Sequence, residues 1–327
     1  MQDENDYSRE NPGLTRAKSP ASLHFANQRP TGNNSRYNLT FVDTRYNLSF
    51  KTRYSARTEA IVAQEKWIID GPKVLDIDGI SNLKVGLIGG QVNIVASDDT
   101  GVHIEVHDVT GRDLKIAVDG DTLEIDHPQL RWDNFIDVFQ SFNGKAKADI
   151  SISVPRNVTL KFGAVTASGL ISGLEDNASI STVSGDLVID SIQGDLQLNS
   201  VSGEISVRNH TGSISANSVS GDLTAQGEIR KFKSDSVSGD VFLDITGSPD
   251  EIRINTVNGS ITTRLAPDVS VQYTINSASG RLQLDDTEIR SVWGTHTSKY
   301  GTLDRLWLDF KANTVSGNIS VVHAVAS

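Results

Sequence analysis

The stretch TVSGDLVIDSIQGDLQLNSVSGEISVRNHTGSISANSVSGDLTAQ, residues 182–226, divides into five consecutive nonapeptides with no remainder. Each has glycine at its fourth position and, with few exceptions, aliphatic residues at its second, sixth and eighth. Strand side chains alternate between faces. In SVSGDLTAQ (218–226) the even positions therefore point one way and positions three, five and seven the other. Positions nine and one are both polar, so a corner falls there or at the Ser-Gly step. The glycine serves that corner either with a positive φ or by letting another backbone come close.

Every second nonapeptide is more alike than its neighbours. VSG stands at 183–185, 201–203, 219–221 and 237–239, a spacing of 18 residues, and the degenerate unit GEIRKFKSD preserves the count. The spacing predicts an all-β solenoid with coils of about 18 residues, each made of two unlike arcs. Like positions then stack at about 4.8 Å and bury a continuous core. Two core columns are expected: Val183, Val201, Val219, Val237 and Val257, and Leu187, Ile205, Leu223, Val241 and Ile261. The glycine spacing then loosens, to 20 residues (Gly239 to Gly259), 21 (to Gly280) and 37 (to Gly317). The last gap is expected to hold an excursion over 286–306, with TVSGNISVVHA closing the chain in register.

From Trp67 onward the period is two. GVHIEVHDV, DLKIAVDGDTLEIDH and KADISISVPRNVTLKF alternate apolar and polar residues between Gly, Asp and Asn. Asp119-Gly120 predicts a tight hairpin turn. Residues 62–160 are thus expected to be a divergent β region continuous with the regular repeats of 161–327. One helix is expected, over 133–144 (DNFIDVFQSFNG), with Phe135, Val138, Phe139 and Phe142 on one face. It reads either as a cap over an open end of the β core or, with Trp132, as a docking face. Trp132, Phe135, Phe139 and Phe142, with Trp293 and Tyr300 from the later excursion, are the candidate interaction surface.

Residues 1–61 are different material. They carry nine Lys+Arg and six Asp+Glu and sustain no apolar periodicity, so a disordered extension is expected, with an upstream mis-set start as the working explanation. Within them RYNLTF (36–41) recurs as RYNLSF (45–50), read as an echo or a tandem binding motif. The whole chain of 327 residues has a formal charge of −11, which argues against nucleic acid as the main partner. Zero cysteines exclude disulfides and thiolate sites. No apolar run approaches a membrane span and no secretory h-region opens the chain, so a cytoplasmic location is expected, with envelope association as the alternative.

The recurrent VSGDL, the opening SVPRNVTLKF (153–162) and the finish TVSGNISV (314–321) resemble a bacterial β-strand-repeat domain of unknown function that is often labelled an adhesin. The resemblance covers roughly residues 66–325. It implies a non-enzymatic, envelope-associated module and transfers no catalytic residue.

Chemistry is sparse. A calcium β-roll needs G-G-x-G-x-D, whereas here one glycine is followed at once by the acid, although Asp186, Glu204, Asp222 and Asp240 do align in a column. His103 and His107 are four strand residues apart, about 13 Å, too far to share an ion. His210 stands in a column otherwise held by Ile192 and reads as a satisfied or corner histidine. No nucleophile elbow, Walker loop or dinucleotide fingerprint appears. Serines 184, 202, 220 and 238 and the line Asn199, Asn217, Asp235 read as ladders bonding along the stack, with glycan or surface binding as the alternative. No catalytic, cofactor or metal residue is assigned. The expected function is a non-catalytic β-repeat scaffold binding a protein or envelope component. A cytosolic regulatory or stress-response partner is the alternative, and a polysaccharide-acting β-helix enzyme the remote one.

Overall fold

The structure, a computed structural model, describes residues 37–43, 48–54, 65–127, 146–290, 293–303 and 306–325. The chain divides into two compact units, Met1–Ile61 and Val62–Ser327. In the first, Tyr37–Asp43 and Leu48–Tyr54 pair antiparallel, with Tyr37 opposite Tyr54. Regular structure thus stands in a segment expected to have none. Each copy of the echoed motif supplies Tyr, Leu and Phe with a Thr or Ser, a strand-compatible run too short for a ten-residue periodicity test to register.

In the second unit the 24 described strands form one hydrogen-bonded sheet folded into two facing stacks. The 18-residue coil is realised as expected. Ala178–Thr182, Gln193–Ser200 and the second half of Ile205–Ser218 stack in parallel on one face. Leu187–Asp190 and the first halves of Ile205–Ser218 and Leu223–Ser236 stack on the other. The column Leu187, Ile205, Leu223, Val241 and Ile261 faces inward and is at most 5% exposed. Burying such a side chain contributes roughly 1.5–3 kcal/mol. The opposing stack answers with Ile180, Leu198, Phe232, Ile254 and Phe310, all in the same core.

The valine column is not part of the main core. Val183 is 4% exposed, but it packs in a separate small cluster with Ile88, Ala146 and Val165, with Val201 against it, while Val219, Val237, Val257 and Val315 are 49%, 54%, 49% and 54% exposed. The cause lies one residue earlier. Thr182 Oγ1 donates to the carbonyl of Gly185 at 2.9 Å and accepts its N–H at 3.0 Å. Ser218 and Gly221 repeat the exchange, both bonds at 3.0 Å. The hydroxyl takes the inner position, satisfies the turn's backbone, and turns the following valine away from the main core, into the small cluster at Val183 and toward solvent from Val219 onward. At the other corner no such hydroxyl intervenes, and Ile192 and Ile229 point inward.

The glycine of this corner is required by close approach. A Cβ on Gly221 would lie 2.2 Å from the Gly203 carbonyl oxygen, and one on Gly203 2.3 Å from that of Gly185.

Spatial order departs from chain order at both ends. Leu308–Ser316 lies between Glu251–Asn258 and Val271–Ser279, parallel to both. On the other face Ile319–His323 lies between Ile261–Leu265 and Arg281–Leu284. The late coil is in register, as expected, but it is inserted beneath an earlier one. The described strands of the excursion stay on the stack; Thr287–Arg290 and Gly294–Tyr300 fold back antiparallel at that end. At the opposite end, Thr122–Asp126 and Lys147–Pro155 lie outside the coil of residues 82–97, parallel to it. Antiparallel strands Gly101–Thr110 and Leu114–Asp119 follow, then Glu65–Ile69 and Lys73–Asp78 outermost. The Asp119-Gly120 turn joins paired strands there, with Gly120 at φ 66°. The helix expected over 133–144 lies outside the described residues.

Candidate functional site

The corner that carries the exposed valines also carries a ladder of side-chain amides. Asn217 Nδ2 donates to Asn199 Oδ1 at 3.1 Å, and Asn199 to Ser181 Oγ at 3.4 Å. Beyond Asp235 the ladder resumes: Asn255 donates to Asp235 Oδ1 (2.7 Å), Asn313 to Asn255 (2.6 Å), and Asn276 to Asn313 (2.6 Å). Thr295 Oγ1 ends it by donating to Asn276 Oδ1 at 2.5 Å. Asn313 can bridge Asn255 and Asn276 because its coil is inserted between theirs.

Beside this ladder runs the apolar column, in which Val257 is level with Val315 and Val315 with Ala278. Between the two columns opens a groove of about 590 Å³, with Trp293 at its rim. Trp293 is 87% exposed. Of the residues expected to form an interaction surface, it alone among those described lines this groove. Tyr300 sits at the far end of the same strand, opposite Val271, while Gly294 is opposite Ser277. The Tyr300 ring is stacked on His323, so the two aromatics are not brought together. Trp132, Phe135, Phe139 and Phe142 lie outside the described residues.

The sequence reading reached Asn199, Asn217 and Asp235 but missed Asn255, Asn276, Asn313 and Thr295. A signal was present: an Asn or Asp stands four residues before the corner glycine at 203, 221, 239, 259, 280 and 317. The loosened spacing between those glycines hid it.

The acidic column has local work. Asp186 Oδ1 accepts the Glu204 N–H at 3.1 Å, Asp222 that of Asp240 at 2.7 Å, and Asp240 that of Ser260 at 2.7 Å. Each carboxylate thereby satisfies a corner N–H one rung away, which explains acids at this position without an ion. Serines 184, 202, 220 and 238 likewise donate to carbonyls of the preceding rung, at 3.0–3.4 Å. Among the described residues no group of three or more His, Cys, Asp or Glu could hold a metal.

The histidines are separate. His103 Nδ1 and Nε2 face Asp76 (2.6 Å) and Glu105 (3.1 Å), hydrogen bonds that raise its pKa. His107 Nε2 faces Ser151 Oγ at 2.9 Å. His210 is fully buried in the core, where desolvation lowers its pKa. His127 is also fully buried; burial, with a minor contribution from Arg112, lowers its pKa to about 4. Its Nδ1 accepts the Ile88 N–H at 3.3 Å and is therefore unprotonated.

A family model described as Toastrack DUF4097 matches residues 80–322. Among solved structures, the chain is similar to a candidate adhesin from Bacteroides fragilis, 15% identical, with 78% of this chain and 100% of that one covered and a TM-score of 0.42. A candidate lipid binding protein from Parabacteroides distasonis is 13% identical, with 78% and 97% covered and a TM-score of 0.37. A candidate cell adhesion protein from Clostridium sporogenes is 15% identical, with 77% and 100% covered and a TM-score of 0.28. No curated protein matches the chain. Among the described residues, no helix is long and apolar enough to cross a membrane.

Proposed function

This chain belongs to the Toastrack DUF4097 family, and from that premise we propose that it is a non-catalytic β-repeat module that presents one outer corner of its stack to a partner. The observation that carries the reading is the run Val219, Val237, Val257, Val315, each about half exposed on successive rungs and leading to the groove beneath Trp293. A contiguous apolar column with an indole at its end is an expensive surface to leave in water, and surfaces of that kind mark contact sites. Of the groups that would otherwise suggest chemistry, the acidic column holds corner amides, and His127 and His210 are buried.

The partner is a protein or an envelope component. The test offers the whole chain and a V237D/V257D double variant as bait to the soluble and envelope fractions of the native host. A partner retained by the native chain from the envelope fraction and lost by the variant is the expected result. Recovery of the same set by both chains overturns the corner as the contact surface, and recovery from the soluble fraction alone overturns the envelope partner.

A further inference from the structure

We infer that the groove between the amide ladder and the valine column binds an uncharged, extended carbohydrate chain, an inference that rests on reading this corner as a contact surface. Four features select that chemistry.

The first is residual hydrogen-bonding capacity. A carboxamide has two N–H donors and two acceptor lone pairs, and each of Asn255, Asn313 and Asn276 uses one donor within the ladder. Each also accepts one bond at Oδ1 from the next rung. A second donor and a second acceptor remain on every rung, repeated at the strand spacing of about 4.8 Å and held in fixed orientation by the ladder. Hydroxyl groups, which donate and accept, match such a row.

The second is the indole. Trp293 is 87% exposed at the groove's rim, and Val257, Val315 and Ala278 supply apolar surface beside it. A flat aromatic face beside amides fits a ring with an apolar C–H face and a polar edge.

The third is charge. The adjacent outer column holds Lys233, Arg253 and Lys311, but Glu251 pairs with Arg253 at 2.9 Å and Asp309 pairs with Lys311, and Lys233 stands two residues before Asp235 on the same strand. Asp235, at one end of the groove, is an anion. Polyanions, nucleic acid included, therefore meet no cationic track here.

The fourth is shape and backbone availability. The groove lies along the rungs on the outer face of the sheet. The strands beneath it, Glu251–Asn258, Leu308–Ser316 and Val271–Ser279, are paired to one another, and Gly294–Tyr300 covers the next edge. A peptide recognised as an added strand needs an open edge, which the three strands beneath the groove do not offer.

The experiment casts dextran, mannan and amylose separately into native gels, with heparin as the polyanion comparison. The mobility of the full chain is compared with that of W293A, T295V and W307A. Trp307 is 46% exposed and lies before Leu308, at the other end of its strand from Val315. Because Trp293 is 87% exposed, W293A is expected to keep the unfolding temperature of the native chain, and measuring that temperature separates a loss of binding from a loss of fold. The expected result is retardation of the native chain by at least one neutral polymer, weakened about tenfold or more in W293A, weakened less in T295V, and unchanged in W307A. Failure of all three neutral polymers, equal retardation of W293A, or stronger retardation by heparin overturns the inference. Should the neutral polymers fail while V237D/V257D still abolishes partner capture, the carbohydrate falls and the contact surface stands; should both fail, both readings fall.

Discussion

Tyr300 lies flat on His323, ring centroids 3.8 Å apart and planes 16° from parallel. The pair ties the antiparallel strand Gly294–Tyr300 to the coil inserted beneath it. His323 is fixed further by Asp285, whose two carboxylate oxygens lie 2.9 and 3.0 Å from Nδ1, and by the Val269 carbonyl 3.0 Å from Nε2. Y300A is expected to cost about 1 kcal/mol and Y300F much less, since stacking belongs to the ring. Thermal unfolding of the two variants checks this, and equal losses would assign the effect to the hydroxyl.

Gly221→Ala forces a Cβ to 2.2 Å from the Gly203 carbonyl oxygen, a contact that only a shift between rungs can relieve. Loss of several kcal/mol, read as a large drop in unfolding midpoint or as insoluble protein, is expected. Gly71→Ala is the control, because nothing lies within 4 Å of its added Cβ.

The inside-out corner makes opposite forecasts for two apolar residues of one repeat. Leu223→Ala empties a position 5% exposed and is expected to cost about 2–5 kcal/mol. Val219→Ala, four residues earlier and 49% exposed, is expected to cost less than about 1 kcal/mol. Denaturant midpoints of the two variants decide it; similar losses would return Val219 to the core.

Asp222→Asn keeps an oxygen for the Asp240 N–H and should be nearly neutral, whereas Asp222→Ala should lose about 1 kcal/mol. The melting temperature of the native chain is expected to be the same in millimolar calcium and in chelator. A rise with calcium that D222N abolishes would restore an ion to this column.

Acid should destabilise the fold through His127. Its folded pKa is about 4 against an ordinary value of 6.5, so between those values the unfolded chain binds the extra proton. The stability contributed by His127 is therefore complete above about pH 6.5 and falls as pH drops toward 4, by roughly 3 kcal/mol in total. The lowered pKa of buried His210 acts in the same direction. His103, with its raised pKa, acts oppositely: its contribution is present at low pH and is lost as pH rises through the folded value. Urea titrations across this window should show H127N with a shallower slope than the native chain; an unchanged slope would rule out His127 as the source.

The repeat was legible because its cause is local. Leu187 and its column mates announce a period that only a stacked coil satisfies, and the corner glycines mark where backbones meet. The valines misled because alternation alone does not reveal that Thr182 or Ser218 will turn its hydroxyl inward and reverse the face that follows. Coil order was illegible for another reason. Leu308–Ser316 matches the edges of Glu251–Asn258 and Val271–Ser279 equally well in length and pattern, and nothing near those residues specifies which neighbour comes first. Trp293 could be named from the sequence, but the ladder beside it could not be assembled until Asn313 was placed between Asn255 and Asn276.

The inserted coil also sets a timetable for synthesis. A chain emerging from the ribosome can add the coils of residues 161–265 one upon another as each appears, every new rung finding its template already laid. The segment 271–284 has no such template, because its seat rests on residues 308–323, still to be translated. Until they arrive it has only the antiparallel strands within residues 287–300 to pair with, so this end of the stack is expected to complete in a late step that ribosome pausing before residue 308 would prolong.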